Sequence, residues 1–168
     1  MKPAGYLQLL IIPAVFALDR VTKAIVEARE TAWDNFPVIP RFFSIVHTRN
    51  RGAAFGFLNE SNSPWRSVIL IGVAALVMAM VAGMLYQSFR SREPQTAWLR
   101  IGLALVLGGA AGNMFDRVTA GSVTDFLLFY WGDAQFPAFN VADSAITGGA
   151  CCLFMDMLRA KSPAVAGS

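Results

Sequence analysis

The chain has 168 residues, of which 55% are hydrophobic and 15% charged, whereas a water-soluble domain carries about 25% charged residues. Its net charge of +3 is spread out with no contiguous basic patch, which argues against both a soluble enzyme and a nucleic-acid-binding module. The apolar residues gather into long runs, and the expected architecture is an all-α integral membrane protein with four transmembrane helices and a small extracytoplasmic β-sheet.

Residues 4–18 form the first uncharged run, behind Lys2. A cleavable secretory signal is the alternative reading. However, Phe16-Ala17-Leu18 is not a small-x-small cleavage site, and Val21, Ile25 and Val26 prolong the apolar pattern. A retained span over 4–26 is therefore expected. Residues 27–66 turn polar and are punctuated by Pro37, Pro40 and Pro64. Within them, residues 42–48 (FFSIVHT) favour a strand, Asn50-Arg51-Gly52 a turn, and residues 53–58 (AAFGFL) a second strand. The phenylalanines Phe42, Phe43, Phe55 and Phe57 require burial, so the sheet is expected to rest on the outer membrane face. Residues 67–89 carry no charge and suffice to cross a hydrocarbon core about 30 Å thick. The third span is expected over 98–115 and the fourth over 138–158, built on the run 134–155 that only Asp143 breaks. These elements make one domain over 1–161, followed by a disordered tail at 162–168.

Trp65, Trp98 and Trp131 fall near the span limits, as an interfacial aromatic belt requires, while Trp33 sits in the outer segment. Lys2, Arg90, Arg92, Arg100, Arg159 and Lys161 lie at the termini and in the short loop between spans two and three. Short loops carry the positive-inside signal most reliably, so both termini are expected in the cytoplasm. The neighbours Cys151 and Cys152 lie inside span four and read as small packing residues rather than a disulfide framework. The run GGACC around them faintly resembles a lipid-attachment motif, but near the wrong terminus.

Carboxylates beside apolar runs carry the functional signal, because an ionised side chain there is costly without a partner or a task. Asp125 and Asp143 lie at the facing ends of spans three and four. Two carboxyls sharing one proton can activate a water for hydrolysis; the bland alternative is that each caps a helix or pairs with Arg117. Asn113 and Asn140 either bridge helices or support such a pair. Asp116 and Arg117 read as a local charge pair that orders the loop carrying Asp125. Asp19 and Lys23 read as an ordinary i,i+4 pair, Gly108 and Gly112 as a close-packing stripe, and His47 as a strand residue. No metal or cofactor site is indicated. A serine–lysine peptidase built on Ser144 or Ser122 with Lys23 is a poorer reading, since neither serine sits in a strained turn signature. A proton-coupled transporter is a rival from another class, although transporters hold their acids near the bilayer midplane.

Four blocks in order also resemble the signal peptidase II family. They are Asp19-Arg20-Val21-Thr22-Lys23, then Asn50-Arg51-Gly52-Ala53-Ala54-Phe55-Gly56. Next comes Gly112-Asn113-Met114-Phe115-Asp116-Arg117 with Gly121, Val123, Asp125 and Phe126, and last Phe139-Asn140-Val141-Ala142-Asp143-Ser144. The resemblance implies an aspartic endopeptidase of the bacterial inner membrane with its active site on the outer face. It implies Asp125 and Asp143 as the catalytic dyad, with Asn50, Gly52, Asn113, Asp116, Arg117 and Asn140 as substrate-binding or supporting residues. The implied substrate is a diacylglyceryl-modified prolipoprotein, cleaved before its lipidated cysteine by a monomeric enzyme among membrane lipids.

Overall fold

A computed structural model describes residues 3–28, 35–52, 65–91 and 95–160. A 3₁₀ segment, Pro3–Leu10, runs into helix α1 (Ile11–Glu27); strands β1 (Phe36–Ile39) and β2 (Phe43–Asn50) follow. Helices α2 (Trp65–Arg90) and α3 (Ala97–Ala120) come next, then strands β3 (Val123–Trp131) and β4 (Ala134–Gln135), and finally helix α4 (Val141–Ala160). Among the described residues, α2, α3 and α4 are long and apolar enough to cross a membrane. Helix α1 itself has 17 residues, with the 3₁₀ turn completing the apolar run before it.

Helix α3 lies at the centre, packed against α1, α2 and α4. Glycines make this possible. A Cβ on Gly108 would lie 2.9 Å from Val15 Cβ on α1, and one on Gly109 would lie 2.4 Å from the Ala142 carbonyl oxygen on α4. Gly102 and Gly149 meet in the same way, each against the other's carbonyl. Close backbone approach of this kind supplies the dispersion contact that apolar surface alone cannot supply in lipid. The small-residue stripe expected at Gly108 and Gly112 is thus a packing surface, and it serves two neighbouring helices.

The four strands form one antiparallel sheet in the order β1-β2-β3-β4. Three expectations are corrected here. Span three does not stop at 115. Its helix continues to Ala120 because Thr96 caps its start, its Oγ1 accepting from Leu99 N at 3.1 Å, and Gly121 ends it in the left-handed region at φ 70°. Asp125 accordingly sits on a nine-residue strand rather than at a helix end. The stretch 123–131 (VTDFLLFYW) belongs to the segment expected merely to connect spans three and four, although its aromatic and apolar residues suit a strand. The strand expected over 42–48 forms as β2 and includes His47; the one expected over 53–58 lies outside the described residues, as do Trp33 and the tail. The run before span four also breaks up, since Ala134–Gln135 pairs with β3 and the helix begins only at Val141.

Candidate active site

The turn at Gly121 sends β3 back beside β2, in a register that sets Asn50 opposite Val123 and Thr48 opposite Asp125. Asn50 closes the turn that follows β2: its Oδ1 accepts from Gly52 N at 2.9 Å. That leaves its Nδ2 to donate to Asp125 Oδ2 at 3.1 Å. One asparagine therefore shapes the expected Asn50-Arg51-Gly52 turn and also holds a carboxylate. Arg117 Nη2 donates to the Gly52 carbonyl at 3.1 Å, fastening this turn to α3.

The approach to α4 is pinned to the same strand. Leu127 N donates to Phe139 O at 2.8 Å and Phe139 N to Leu127 O at 3.1 Å. The next residue, Asn140, is fully buried and forms the N-cap of α4. Its Oδ1 accepts from Asp143 N at 2.9 Å, while Asp143 Oδ2 accepts from Asn140 N at 3.3 Å. These are the reciprocal bonds of a capping box, which satisfy donors at a helix start. Asn140 Nδ2 then reaches Asp125 Oδ1 at 2.7 Å, and Asn113 Nδ2 reaches Asp143 Oδ1 at 2.7 Å. Asn140 thus touches both carboxylates. Asp125 and Asp143 line one cavity of about 760 Å³, together with Asn50, Asn113 and Arg117 and apolar walls from α2, α3 and α4.

Asp125 is 3% exposed. Burial, followed by the nearby Asp143 charge, pushes its carboxyl up from the ordinary 3.8 to about 7, outweighing the hydrogen bonds from Asn50 and Asn140. A carboxyl held near neutral pH can both give and take a proton, which is what acid–base chemistry demands.

Behind the cavity lies a second layer. Lys23 and Asp19 are each 0% exposed, so their i,i+4 pair is not the surface pair that the spacing suggests. Lys23 Nζ lies 2.8 Å from Asp19 Oδ2, 2.7 Å from Asp116 Oδ2 and 3.0 Å from Asn113 Oδ1. Asp116 also pairs with Arg20, whose guanidinium stacks over Phe115. Asp116 is therefore paired with two cations of α1, while Arg117 turns to Gly52; their expected mutual pairing does not form. Asp19 Oδ1 accepts from Ala142 N at 3.0 Å, satisfying a further donor at the start of α4. Two cations balance two carboxylates, and removing one partner from such a buried set costs about 3–5 kcal/mol. Asp19, Arg20 and Lys23 were not expected to support the site. The signal was present, since charges inside an otherwise apolar span are expensive. Among the described residues, no group of three or more His, Cys, Asp or Glu side chains could hold a metal ion.

Long apolar helices around a central polar cluster, with a small sheet at one end, define a membrane enzyme. A solved structure described as a bacterial membrane enzyme superposes with a TM-score of 0.76 at 29% identity, covering 96% of this chain and 93% of that one. The family model for signal peptidase (SPase) II matches residues 11–159, and the chain belongs to that family. Among its relatives, the lipoprotein signal peptidase of Solibacter usitatus is 50% identical over 150 residues, covering 89% of each chain. That of Symbiobacterium thermophilum is 45% identical over 152 residues, covering 89% of this chain and 94% of its own.

Proposed function

We propose that this protein is an aspartic endopeptidase that removes signal peptides from diacylglyceryl-modified prolipoproteins, cutting before the lipidated cysteine. The observation that carries the reading is the pairing of Asp125 and Asp143 through Asn140 at the wall of one largely apolar cavity. The family and its lipoprotein signal peptidases supply the substrate class.

In this reading Asp143 takes a proton from a water as its oxygen attacks the scissile carbonyl carbon. Asp125 gives its proton to the departing amide nitrogen. No covalent intermediate with the enzyme forms, and no metal or other cofactor takes part. Asn50, Asn113 and Asn140 orient the two carboxyls, while Arg117 and Gly52 fix the outer turn. Asp116 anchors α1 to α3. A serine–lysine mechanism finds little support, because Lys23 Nζ is committed to Asp19, Asp116 and Asn113, and Ser144 Oγ donates to Asn140 O.

The 3₁₀ turn and α1 together act as the fourth span, so that one membrane domain over 1–161 crosses the bacterial inner membrane four times. Both termini face the cytoplasm, and the sheet and dyad face outward, where a signal peptide leaves the bilayer. The enzyme works as a monomer. The deciding experiment is cleavage of a lipidated precursor by purified wild type, Asp125→Asn and Asp143→Asn in detergent or liposomes. Cleavage at near wild-type rate by either variant would remove that residue from the mechanism, and measured proton flux without cleavage would favour a transporter.

A further inference from the structure

Three asparagines hold the two carboxylates, and each can do so only with its amide nitrogen facing inward. Asn50 and Asn140 are fixed by backbone donors, Gly52 N and Asp143 N, which occupy their carbonyl oxygens. Asn113 lies within α3, where the backbone donors serve the helix itself. Its orientation depends on side chains. Asn140 Nδ2 reaches Asn113 Oδ1 at 3.2 Å, but that nitrogen also serves Asp125 Oδ1 at 2.7 Å and Thr124 O at 3.3 Å. The remaining donor is Lys23 Nζ at 3.0 Å, reaching across from α1.

We propose that Lys23 is a positioning residue for the peptidase reaction: its buried ammonium orients the Asn113 amide so that Nδ2 donates to Asp143. An ammonium has donors and no acceptor, so only the carbonyl end of Asn113 can face it. The opposite end must then present N–H to the carboxylate. Its three donors match three acceptors, Asp19 Oδ2, Asp116 Oδ2 and Asn113 Oδ1. The two carboxylates hold the ammonium in place, and Arg20 balances the remaining charge on Asp116. With Lys23 gone, only the shared Asn140 Nδ2 at 3.2 Å still holds the Asn113 carbonyl, so the amide can flip and set two acceptor oxygens against each other at Asp143. Lys23 does not line the cavity, so its effect falls on the chemistry and not on substrate binding. This assignment rests on the dyad reading above.

Lys23→Met alone strands a buried negative charge, so the test pairs it with Asp19→Asn, which restores charge balance and keeps an acceptor for Ala142 N. Cleavage of a lipidated precursor is measured on the folded double variant beside wild type, Asn113→Ala, the triple variant, and Asp125→Asn and Asp143→Asn. The expected result is a kcat lower by about 10- to 100-fold, the scale of a small misplacement at a reacting centre, with KM within twofold of wild type. Adding Asn113→Ala should then lower kcat no further than that change does alone, since both remove one interaction. Wild-type kcat in the folded double variant, or fully additive losses, would overturn the assignment. If the double variant does not fold, the Asn113 side-chain amide of ¹⁵N-labelled wild type gives the reading instead. One of its protons should be protected from exchange by the bond to Asp143, and the nitrogen shift should follow the titration of the dyad; an unprotected, pH-independent amide overturns the proposal. Activity retained by Asp125→Asn or Asp143→Asn would instead sink the dyad itself, whatever Lys23 does.

Discussion

Helices α2 and α3 run side by side with similar lengths, and they differ in almost everything else. Only 6% of the most apolar stretch of α2 is buried inside the protein, against 39% for α3. The second helix turns its large side chains outward, with Val68, Ile69, Val73, Leu76 and Met80 all exposed, and its glycines Gly72 and Gly83 have open space around them. The third helix buries Gly102, Gly108, Gly109, Gly112, Asn113 and Asp116. One is shaped by the solvent it crosses and the other by its neighbours. Hydropathy therefore finds α2 most easily, while Asn113 and Asp116, which hold the carboxylate cluster together, sit on the less apolar helix.

The largest expected effect tests whether the polar end of α3 and its partners are a reaction centre. Asp125→Asn and Asp143→Asn should each lower precursor cleavage by ~100-fold or more, since asparagine keeps the shape but carries no exchangeable acid proton. Both variants should remain folded by size-exclusion chromatography and thermal unfolding. Near-normal turnover would reduce the contrast between the helices to one of packing.

The pH dependence sharpens the same point. With its carboxyl pushed up to about 7, Asp125 holds its proton below that pH and loses it above. A general acid of this kind makes kcat fall about tenfold per pH unit on the alkaline side. Stability follows the same sign: a group whose folded value is raised from 3.8 to about 7 favours the fold at low pH and loses that contribution as pH rises through 7. Asp125→Asn should thus raise the Tm relative to wild type at pH 8 more than at pH 5. An equal shift at both would contradict the burial-driven displacement.

Packing gives the next pair of tests. Gly109→Ala would put a methyl 2.4 Å from the Ala142 carbonyl, forcing α3 and α4 apart at the turn that carries Asp143. A loss of about 1–3 kcal/mol, with reduced cleavage, should appear in detergent unfolding and activity assays. The matching change on α2, Gly83→Ala, meets nothing within 4 Å. It should leave cleavage unchanged and gain at most about 1 kcal/mol from lower chain entropy. Comparable damage at both positions would mean that α2 packs more tightly than its surroundings indicate.

The apolar runs made α2, α3 and α4 legible in the sequence, and unpaired carboxylates beside them pointed to Asp125 and Asp143. Asn140 was legible as a candidate support for the pair, but its contact with both carboxyls was not. That contact depends on Phe139 pairing with Leu127 across a strand that lies in the segment read only as a connection between spans. Spacing also misled at Asp19 and Lys23. The i,i+4 interval is the same on a wet surface and in a buried core, and only tertiary packing decides which one applies. Asp116 and Arg117 misled for the converse reason: adjacency in sequence sends two helix side chains about 100° apart, towards different partners.

The cap of α4 sets an order of events. Synthesis runs from the amino end, so Asp19, Lys23, Asn113 and Asp125 are all polymerised before Asn140 and Asp143 exist. Until that last segment threads into the bilayer, Asp125 lacks its Asn140 donor, Asp19 has no Ala142 N–H to cap, and the second carboxyl is absent. If the proposed dyad is the reaction centre, the nascent chain lacks one of its two carboxyls at every length short of the last helix, and cleavage can begin only once that helix is in place.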